Sequence, residues 1–218
     1  MVIAIDGPAG SGKSTVSKGV AKRLGFVYID TGAMYRTLTL KALENKLNLL
    51  SSKDLVAMAQ KTEIMIKNIE GSIHIFMDGQ DVSEKIRTPE VTRNIFHIAD
   101  DPAVRKIMVK LQRHMASKSD SVLEGRDITS VVFPDADYKF FVDASFDERA
   151  KRRYEEFKSK NIDISLDMVR KDLSERDYKD KNRPVGALKI VPDANYLDTT
   201  NLSVDQVIDK IISSINKV

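Results

Sequence analysis

The stretch GPAGSGKST, residues 7–15, contains three glycines and a lysine that is followed directly by two hydroxyl side chains. It follows an apolar run and fits the pattern G-x-x-x-x-G-K-[ST]. Glycines let backbone N–H groups converge on an anion, and the N-terminus of a following helix adds a favourable dipole. The sequence therefore predicts a phosphate-binding loop for a nucleoside triphosphate with Mg²⁺.

Each position of this loop has an expected task. Lys13 supplies a point charge for the β- and γ-phosphates, the Ser14 hydroxyl suits Mg²⁺, and Thr15 adds a phosphate contact. The ATP-binding residues predicted in the loop are Gly7, Pro8, Ala9, Gly10, Ser11, Gly12, Lys13, Ser14 and Thr15.

The loop alone does not separate kinases, GTPases and ATP-driven machines. A guanine-specific N-K-x-D motif is absent from the sequence. The run FFVD, residues 140–143, resembles the acidic strand end of a motor protein, but it equally fits a strand that ends before a capped helix. The small size favours a kinase that acts on a small acceptor.

The surrounding sequence predicts the elements that position this loop. Strands are expected at residues 2–5 and 26–30, and helices at 13–24 and 32–47. Further strands are expected at 121–127, 138–144 and 195–200, and helix caps at 145–148 and 203–206. This alternation is typical of a parallel sheet covered by helices.

The middle of the chain has a different pattern. Apolar residues alternate at 64, 66 and 69 and again at 73, 75 and 77, which predicts a small antiparallel meander. Two helices then begin at residues 88–90 and 101–103, each with a proline at its first position. This stretch is predicted to be an insertion into the α/β core.

Composition narrows the class of protein. The chain has 218 residues, 42% hydrophobic and 31% charged, which suits one soluble domain. It has no cysteine, no apolar run of the ~18 residues that a membrane span needs and no basic leader, so we expect a cytoplasmic protein without a membrane partner.

Positive charge is concentrated in one segment, although the net charge is only +3. The segment is either a solvated helical face or a cluster that closes over phosphates. Few aromatic residues interleave it, so we expect no nucleic-acid partner. Its basic residues are Arg149, Lys151, Arg152, Arg153, Lys158, Lys160, Arg170, Lys171, Arg176, Lys179, Lys181 and Arg183.

Four further motifs resemble the bacterial cytidylate kinase family. They are DTGAMYR at 30–36, EGRDITSVVFPDA at 124–136, ERAKRR at 148–153 and ERDYKDKNRP at 175–184. The resemblance covers nearly the whole chain, and it implies an α/β P-loop fold of three layers. In that fold a central parallel sheet is flanked by helices and carries an inserted antiparallel sheet. A single domain is expected, with a monophosphate-binding region at about 31–118 and a helical lid at about 149–186.

The resemblance also implies an activity and a set of site residues. The activity is transfer of the γ-phosphoryl group of ATP to CMP or dCMP with Mg²⁺, and the resemblance implies a monomer. Catalytic roles fall to Lys13, Arg126 and Arg176, and further ATP contacts to Arg149, Arg152 and Arg153. The implied CMP-binding residues are Thr31, Arg36, Arg105, Arg126, Asp127, Arg176, Asp180 and Arg183.

Elementary chemistry agrees with these roles. Phosphoryl transfer needs positioning and charge neutralisation, and the planar guanidinium of arginine grips two phosphate oxygens at once. A carboxylate such as that of Asp127 accepts a hydrogen bond from the cytosine amino group. The resemblance implies Arg36 and Arg126 at the acceptor phosphate, Arg105 at the base, and Asp180 with Arg183 at the ribose.

Several residues keep a second interpretation. Arg36 is otherwise part of a helix face, Arg105 a plain exposed charge and Asp180 half of a surface ion pair. Glu124 either lies near Mg²⁺ or holds an arginine. The three histidines lack metal-ligand spacing and are expected to be ordinary surface or packed residues.

The chain departs from the family pattern in two places. Thr129 and Ser130 stand where many relatives have glycine and threonine, and Phe96 or His97 stands where relatives often have a serine at the cytosine. These departures concern discrimination of the base, and another kinase of small acceptors, such as a UMP/CMP-type or dTMP kinase, is the first alternative. A P-loop switch protein that uses ATP to control a partner is the alternative from another class.

Overall fold

A computed structural model describes residues 1–159 and 161–215, so Lys160 of the basic segment lies outside the described residues. The chain divides into two compact units. The first comprises Met1–Tyr28 and Ala116–Val218, and the second comprises Ile29–Met115.

The central sheet has five strands in the order β2-β6-β1-β7-β8. β1 (Val2–Asp6) runs parallel to β6 (Ser121–Gly125) and to β7 (Tyr138–Asp143), and β7 runs parallel to β8 (Asn195–Asp198). β2 (Val27–Asp30) forms the edge beside β6. The registers align Asp6 with Gly125 and with Phe141, so the carboxyl ends of these strands lie at one edge of the sheet.

Helices cover this sheet within the first unit. α1 (Lys13–Leu24) packs against β6 and against α8 (Val204–Ile215). The contact is close, since a Cβ added to Gly19 would lie 2.2 Å from Ile208. α6 (Phe146–Ser159) packs against α7 (Leu166–Asn182). The central residues of the strands, such as Ile3, Leu123 and Phe140, are apolar and fully buried. Continuous apolar strands of this kind are typical of a parallel sheet that helices cover.

The second unit is built around α2 (Thr31–Glu44), which packs against α3 (Ser52–Lys61) and α4 (Pro89–Ala99). Its antiparallel sheet consists of β3 (Ile64–Ile69), β4 (Ser72–Met77) and β5 (Gln80–Asp81). A 3₁₀ turn at Lys85–Arg87 precedes α4, and α5 (Pro102–Ala116) follows it. Ile75, Met77 and Leu40 contribute to the core of this unit.

The predicted fold class is confirmed: a parallel sheet is flanked by helices, and a small antiparallel sheet is inserted. The Ser203–Gln206 capping box forms in both directions, whereas at α6 only the Ser145 hydroxyl bond to the Glu148 N–H forms, and the Ser145 N–H donates to Thr200 instead. The second helix ends at Glu44, earlier than predicted, and α3 was not predicted. A π-helical turn at Ile128–Val132 was also not predicted.

Candidate active site

The phosphate-binding loop joins β1 to α1, as the sequence predicts. Gly10 and Gly12 have φ of 77° and 86°, in the left-handed region that glycine adopts without strain. A Cβ added to Gly7 would lie 2.1 Å from the Val142 carbonyl oxygen, so no larger residue fits there. The loop therefore depends on glycine both for its turns and for its close approach to β7.

Lys13 begins α1 and is almost fully buried. Its ammonium group donates to the Pro8 carbonyl across the loop at 3.1 Å. Burial, assisted by the nearby charges of Arg126 and Arg176, lowers the pKa of Lys13 to about 7, and Glu124 and Asp180 partly oppose this. Burial disfavours the ammonium form because it removes water from the charge. An anion bound beside Lys13 would stabilise that ammonium form.

Arg126, which is partly buried, and Asp180, which is buried, form an ion pair within the first unit. Arg126 follows β6, and its Nε donates to Asp180 Oδ2 at 2.7 Å; Arg183 Nη2 donates to the other oxygen at 3.1 Å. Asp180 is 3% exposed, so its interpretation as half of a surface ion pair is wrong. Burial alone would raise the pKa of Asp180, but Arg126, Arg176 and Arg183 hold it below its ordinary value.

Arg126 is correspondingly held in its charged form. Burial opposes its charge, but the hydrogen bond and field of Asp180, with Glu124 beyond, raise its pKa. Glu124 is buried at the end of β6, where its carboxylate accepts from the Tyr28 hydroxyl at 2.6 Å. The structure thus brings Lys13, Arg126, Arg176, Asp180 and Arg183 into one electrostatic cluster with Glu124, and cations outnumber carboxylates in it.

Two arginines of α6 reach the backbone of the phosphate-binding loop. Arg149 is buried and donates to the carbonyls of Ala9 and Ala144 and, at 2.7 Å, to the carboxylate of Asp177 in α7. Arg152 donates to the carbonyls of Ser11 and Thr199. Both guanidinium groups therefore brace the loop from its carbonyl side.

Arg153 lies elsewhere on the same helix. Its guanidinium group donates a hydrogen bond to Glu156, and its guanidinium carbon is 4.6 Å from the centre of the Phe157 ring.

Asp143, the last residue of the FFVD run, accepts from the N–H of Ala144 at 2.8 Å. β7 therefore ends at Asp143, and α6 begins at Phe146 with Ser145 accepting from the Glu148 N–H as its cap.

The second unit positions three of the predicted acceptor residues. Thr31 begins α2, which Asp30 caps by accepting from the Ala33 N–H at 2.8 Å. Arg36 donates to the Thr92 hydroxyl at 2.8 Å and to the Ile86 carbonyl. These bonds hold Arg36 between α2, the 3₁₀ turn and α4.

Arg105 is 2% exposed, so its interpretation as a plain exposed charge is wrong. It donates to the Ala99 carbonyl at 2.8 Å, and its guanidinium lies 5.4 Å from the centre of the Tyr35 ring. A buried cation close to an aromatic ring is attracted by the ring electrons, so the ring and the Ala99 carbonyl both stabilise the buried guanidinium. At the position of the second family departure, Phe96 is half-buried and His97 is exposed.

The donor set suits a magnesium ion that arrives with the nucleotide. Ser14 is half-buried in the first turn of α1. Among the described residues no group of three histidine, cysteine or carboxylate side chains is arranged to hold a metal. Mg²⁺ commonly keeps its waters and takes one or two protein ligands together with substrate phosphates, so one hydroxyl beside a phosphate cradle fits it.

Comparison with known proteins places this geometry in a family. A family model described as cytidylate kinase matches residues 3–217. The chain belongs to the cytidylate kinase family. It is 45% identical to the cytidylate kinase of Caldanaerobacter subterraneus subsp. tengcongensis over 99% of this chain and 94% of that one. It is 46% identical to the cytidylate kinase of Lactobacillus gasseri, over 100% of this chain and 94% of that one.

Solved structures agree with this fold at lower identity. A crystal structure of an uncharacterized protein from Eubacterium ventriosum is 15% identical, with a TM-score of 0.54 over 100% of this chain and 99% of that one. TT1252 from Thermus thermophilus is 16% identical, with a TM-score of 0.51 over 99% of this chain and 96% of that one. At such identities these likenesses concern the fold of this cytidylate kinase family member, not its chemistry.

Sequence reasoning missed several polar residues around the site. Asp6 accepts three hydrogen bonds from residues 128 and 129. The Asp177 carboxylate accepts a hydrogen bond from Arg149, and the Thr199 carbonyl accepts one from Arg152. The one available signal was at Asp6, a carboxylate at the end of a buried strand directly before the loop. The partners of Asp177 and Thr199 are distant in sequence, so no local pattern indicated them.

Proposed function

We propose that this protein transfers the γ-phosphoryl group of ATP to the phosphate of CMP or dCMP, giving ADP and CDP or dCDP. The observation that carries the proposal is the cluster of Lys13 with Arg126, Arg176 and Arg183 beside the phosphate-binding loop, in a chain that matches the cytidylate kinase family along its length. Two polyanions must meet in this reaction, and fixed cations reduce their repulsion.

The donor is assigned to the loop at residues 7–15. Its backbone N–H groups and the N-terminus of α1 cradle the β- and γ-phosphates, and Lys13 neutralises charge on them as the bond to the γ-phosphorus breaks. Arg176, whose charge acts on both Lys13 and Asp180, is assigned to the transferring group. Arg149 and Arg152 support the ATP site through the loop carbonyls that they hold, and Arg153 is assigned to its outer edge.

The acceptor contacts are assigned residue by residue, and each unit is considered by itself. In the first, Arg126 binds the CMP phosphate, Asp127 accepts from the cytosine amino group, and Asp180 with Arg183 receives the ribose hydroxyls. In the second, Thr31 and Arg36 bind the CMP phosphate, and the buried Arg105 donates to the base. An oxygen of the CMP phosphate attacks the γ-phosphorus in line, and ADP leaves.

Magnesium is proposed as the metal, held by the Ser14 hydroxyl. When bound, it neutralises charge on the β- and γ-phosphates. The basic segment at 149–186 is proposed to exclude water over the transferring group, which limits hydrolysis of ATP.

The remaining assignments concern the state of the protein. No helix in the described part of the chain has the length and apolar character to cross a membrane. A cytoplasmic monomer without a nucleic-acid partner is proposed, and the absence of cysteine from the sequence is compatible with a reducing compartment. Sedimentation velocity with and without nucleotides tests the monomer, and a dimer at micromolar concentration contradicts it.

The function is tested by measuring ADP release with ATP and Mg²⁺ against CMP, dCMP, UMP, dTMP, AMP and GMP. Turnover confined to CMP and dCMP is expected, because a polar pocket strongly rejects a base with a different donor pattern. Equal turnover with UMP would contradict the assigned cytosine contacts. No turnover with any acceptor would contradict the kinase and favour a nucleotide switch; Lys13→Met is the inactive control.

A further inference from the structure

Asp6 links two segments that the reaction needs in register. It ends β1 immediately before the phosphate-binding loop and is fully buried. Its Oδ1 accepts from the Ile128 N–H at 2.9 Å. Its Oδ2 accepts from the Thr129 N–H at 2.8 Å and from the Thr129 hydroxyl at 2.6 Å. One carboxylate thus receives three hydrogen bonds from the segment that follows Arg126 and Asp127.

These bonds satisfy the start of an unusual helical turn. The π-helical turn at Ile128–Val132 is closed by the bond from the Phe133 N–H to the Ile128 carbonyl at 2.7 Å. Asp127 stands at its N-cap but makes no side-chain cap to it. The first two N–H groups of the turn are bound by Asp6 instead, from the neighbouring strand. A single π-helical turn is frequently found at a functional site.

We propose that Asp6 is a positioning residue for phosphoryl transfer, which fixes the backbone that carries Arg126 and Asp127 against the phosphate-binding loop, and that the Thr129 hydroxyl holds Asp6 in place. The inference rests on the proposed function, since Arg126 and Asp127 are its assigned acceptor residues. Asp6 itself touches neither substrate; it acts through the segment that it binds.

The electrostatics of the site give the Thr129 hydroxyl a particular importance. Burial, with a smaller contribution from the charge of Asp127, raises the pKa of Asp6 to about 6, although the Thr129 hydroxyl and the two N–H groups act to lower it. An ionised carboxylate accepts all three bonds, whereas a protonated one must also place its own hydrogen. Arg126 lies close enough for the charge of Asp6 to raise its pKa. Loss of the Thr129 hydroxyl therefore removes one hydrogen bond that favours the ionised form of Asp6, which is the form that accepts both N–H groups of the turn.

The test compares three variants of the full-length protein. Thr129→Val removes the hydroxyl at nearly constant volume, and Thr129→Ser retains it. Thr39→Val is the matched control, because Thr39 is also fully buried and its hydroxyl donates to the Tyr35 carbonyl within α2 at 2.9 Å. For each, kcat and KM for CMP, the Kd of ATP by equilibrium binding and the melting temperature are measured.

We expect Thr129→Val to lower kcat/KM for CMP by about tenfold or more, as loss of a hydrogen bond to a buried charge does. The Kd of ATP should stay within about twofold, because the loop backbone itself is unchanged. Thr129→Ser should retain kcat/KM within about threefold, and Thr39→Val should match the unaltered protein in kcat/KM even where its melting temperature falls.

Wild-type-like kcat/KM in Thr129→Val would overturn the inference. So would a loss in Thr129→Val that Thr129→Ser shares, or a parallel loss of ATP affinity, since either would indicate general damage to the fold. Asp6→Asn provides a second variant, with a larger expected loss of kcat/KM for CMP. The unaltered protein is assayed before any variant. If it does not phosphorylate CMP, the proposed function is wrong, and this result is distinct from a failure of the inference about Asp6.

Discussion

Binding of ATP should charge Lys13 when the pH is above neutral. Burial, with Arg126 and Arg176 nearby, lowers the pKa of Lys13 from 10.5 to about 7. At pH 8 about nine-tenths of the unliganded protein then carries a neutral Lys13. Phosphates placed beside the side chain favour its ammonium form, so binding at pH 8 should take up about 0.9 proton.

The free-energy cost of charging Lys13 in the unliganded protein follows from how far its pKa is lowered. Lowering it from 10.5 to about 7 corresponds to about 5 kcal/mol against the charged form in the unliganded protein. Between these pH values the unfolded chain binds a proton that the folded chain releases, so Lys13 makes stability rise with pH across this window. The affinity for ATP moves in the opposite direction and should fall about tenfold per pH unit above 7.

Titration calorimetry at pH 8, in two buffers with different ionisation enthalpies, measures the proton uptake directly. Lys13→Arg is the matched control, because its guanidinium stays protonated at every working pH. We expect about 0.9 proton more for the unaltered protein than for Lys13→Arg. Equal uptake by the two proteins would show that Lys13 is already charged before ATP binds, and it would refute the argument from burial.

Three substitutions test other parts of the site. Asp180→Asn should lower the free energy of unfolding by about 3 kcal/mol, because it leaves the cation of Arg126 buried without its carboxylate; denaturant unfolding measures this loss. Gly7→Ala should weaken ATP binding at least about tenfold, measured by calorimetry, because its Cβ would meet the Val142 carbonyl. Arg149→Met should cost about 3 kcal/mol of stability and also weaken ATP binding, because it removes three buried hydrogen bonds.

Each substitution has a control in the same chain. Asp209→Asn breaks an exposed ion pair with Arg23 and should change stability by less than about 1 kcal/mol. Gly71→Asn lies in open space at a positive φ that asparagine tolerates, and it should leave ATP binding unchanged. Arg153→Met should cost less than Arg149→Met. Equal effects in a variant and its control would contradict the corresponding assignment.

The sequence predicts best what depends on neighbouring residues. The phosphate-binding loop is specified by glycines, a lysine and hydroxyls within one turn, and the flanking strand and helix follow from local periodicity. The meander of β3 and β4 was predicted from alternation together with the turn residues Gly71 and Asp78–Gly79. α3 was missed although it carries local signals: Ser51 caps it by accepting from the Asp54 N–H, and its buried residues Leu55, Met58 and Ala59 have helical spacing.

Contacts between distant residues escaped prediction. Asp6 accepts hydrogen bonds from the N–H groups of Ile128 and Thr129. Glu124 accepts one from the Tyr28 hydroxyl, whereas the sequence suggested either a position near Mg²⁺ or a contact with an arginine. The burial of Arg105 likewise depends on how α5 packs, not on its local sequence. Local patterns identify charged residues but not the partners that decide whether they are exposed.

The central claim is tested most directly by identifying the product. The purified protein is mixed with CMP, Mg²⁺ and ATP labelled in its γ-phosphate, and the nucleotides are separated by chromatography. The account predicts label in CDP in proportion to the ADP formed, and none in CDP with Lys13→Met. Label released only as inorganic phosphate, with CMP unchanged, would contradict the assignment of this protein as a CMP kinase.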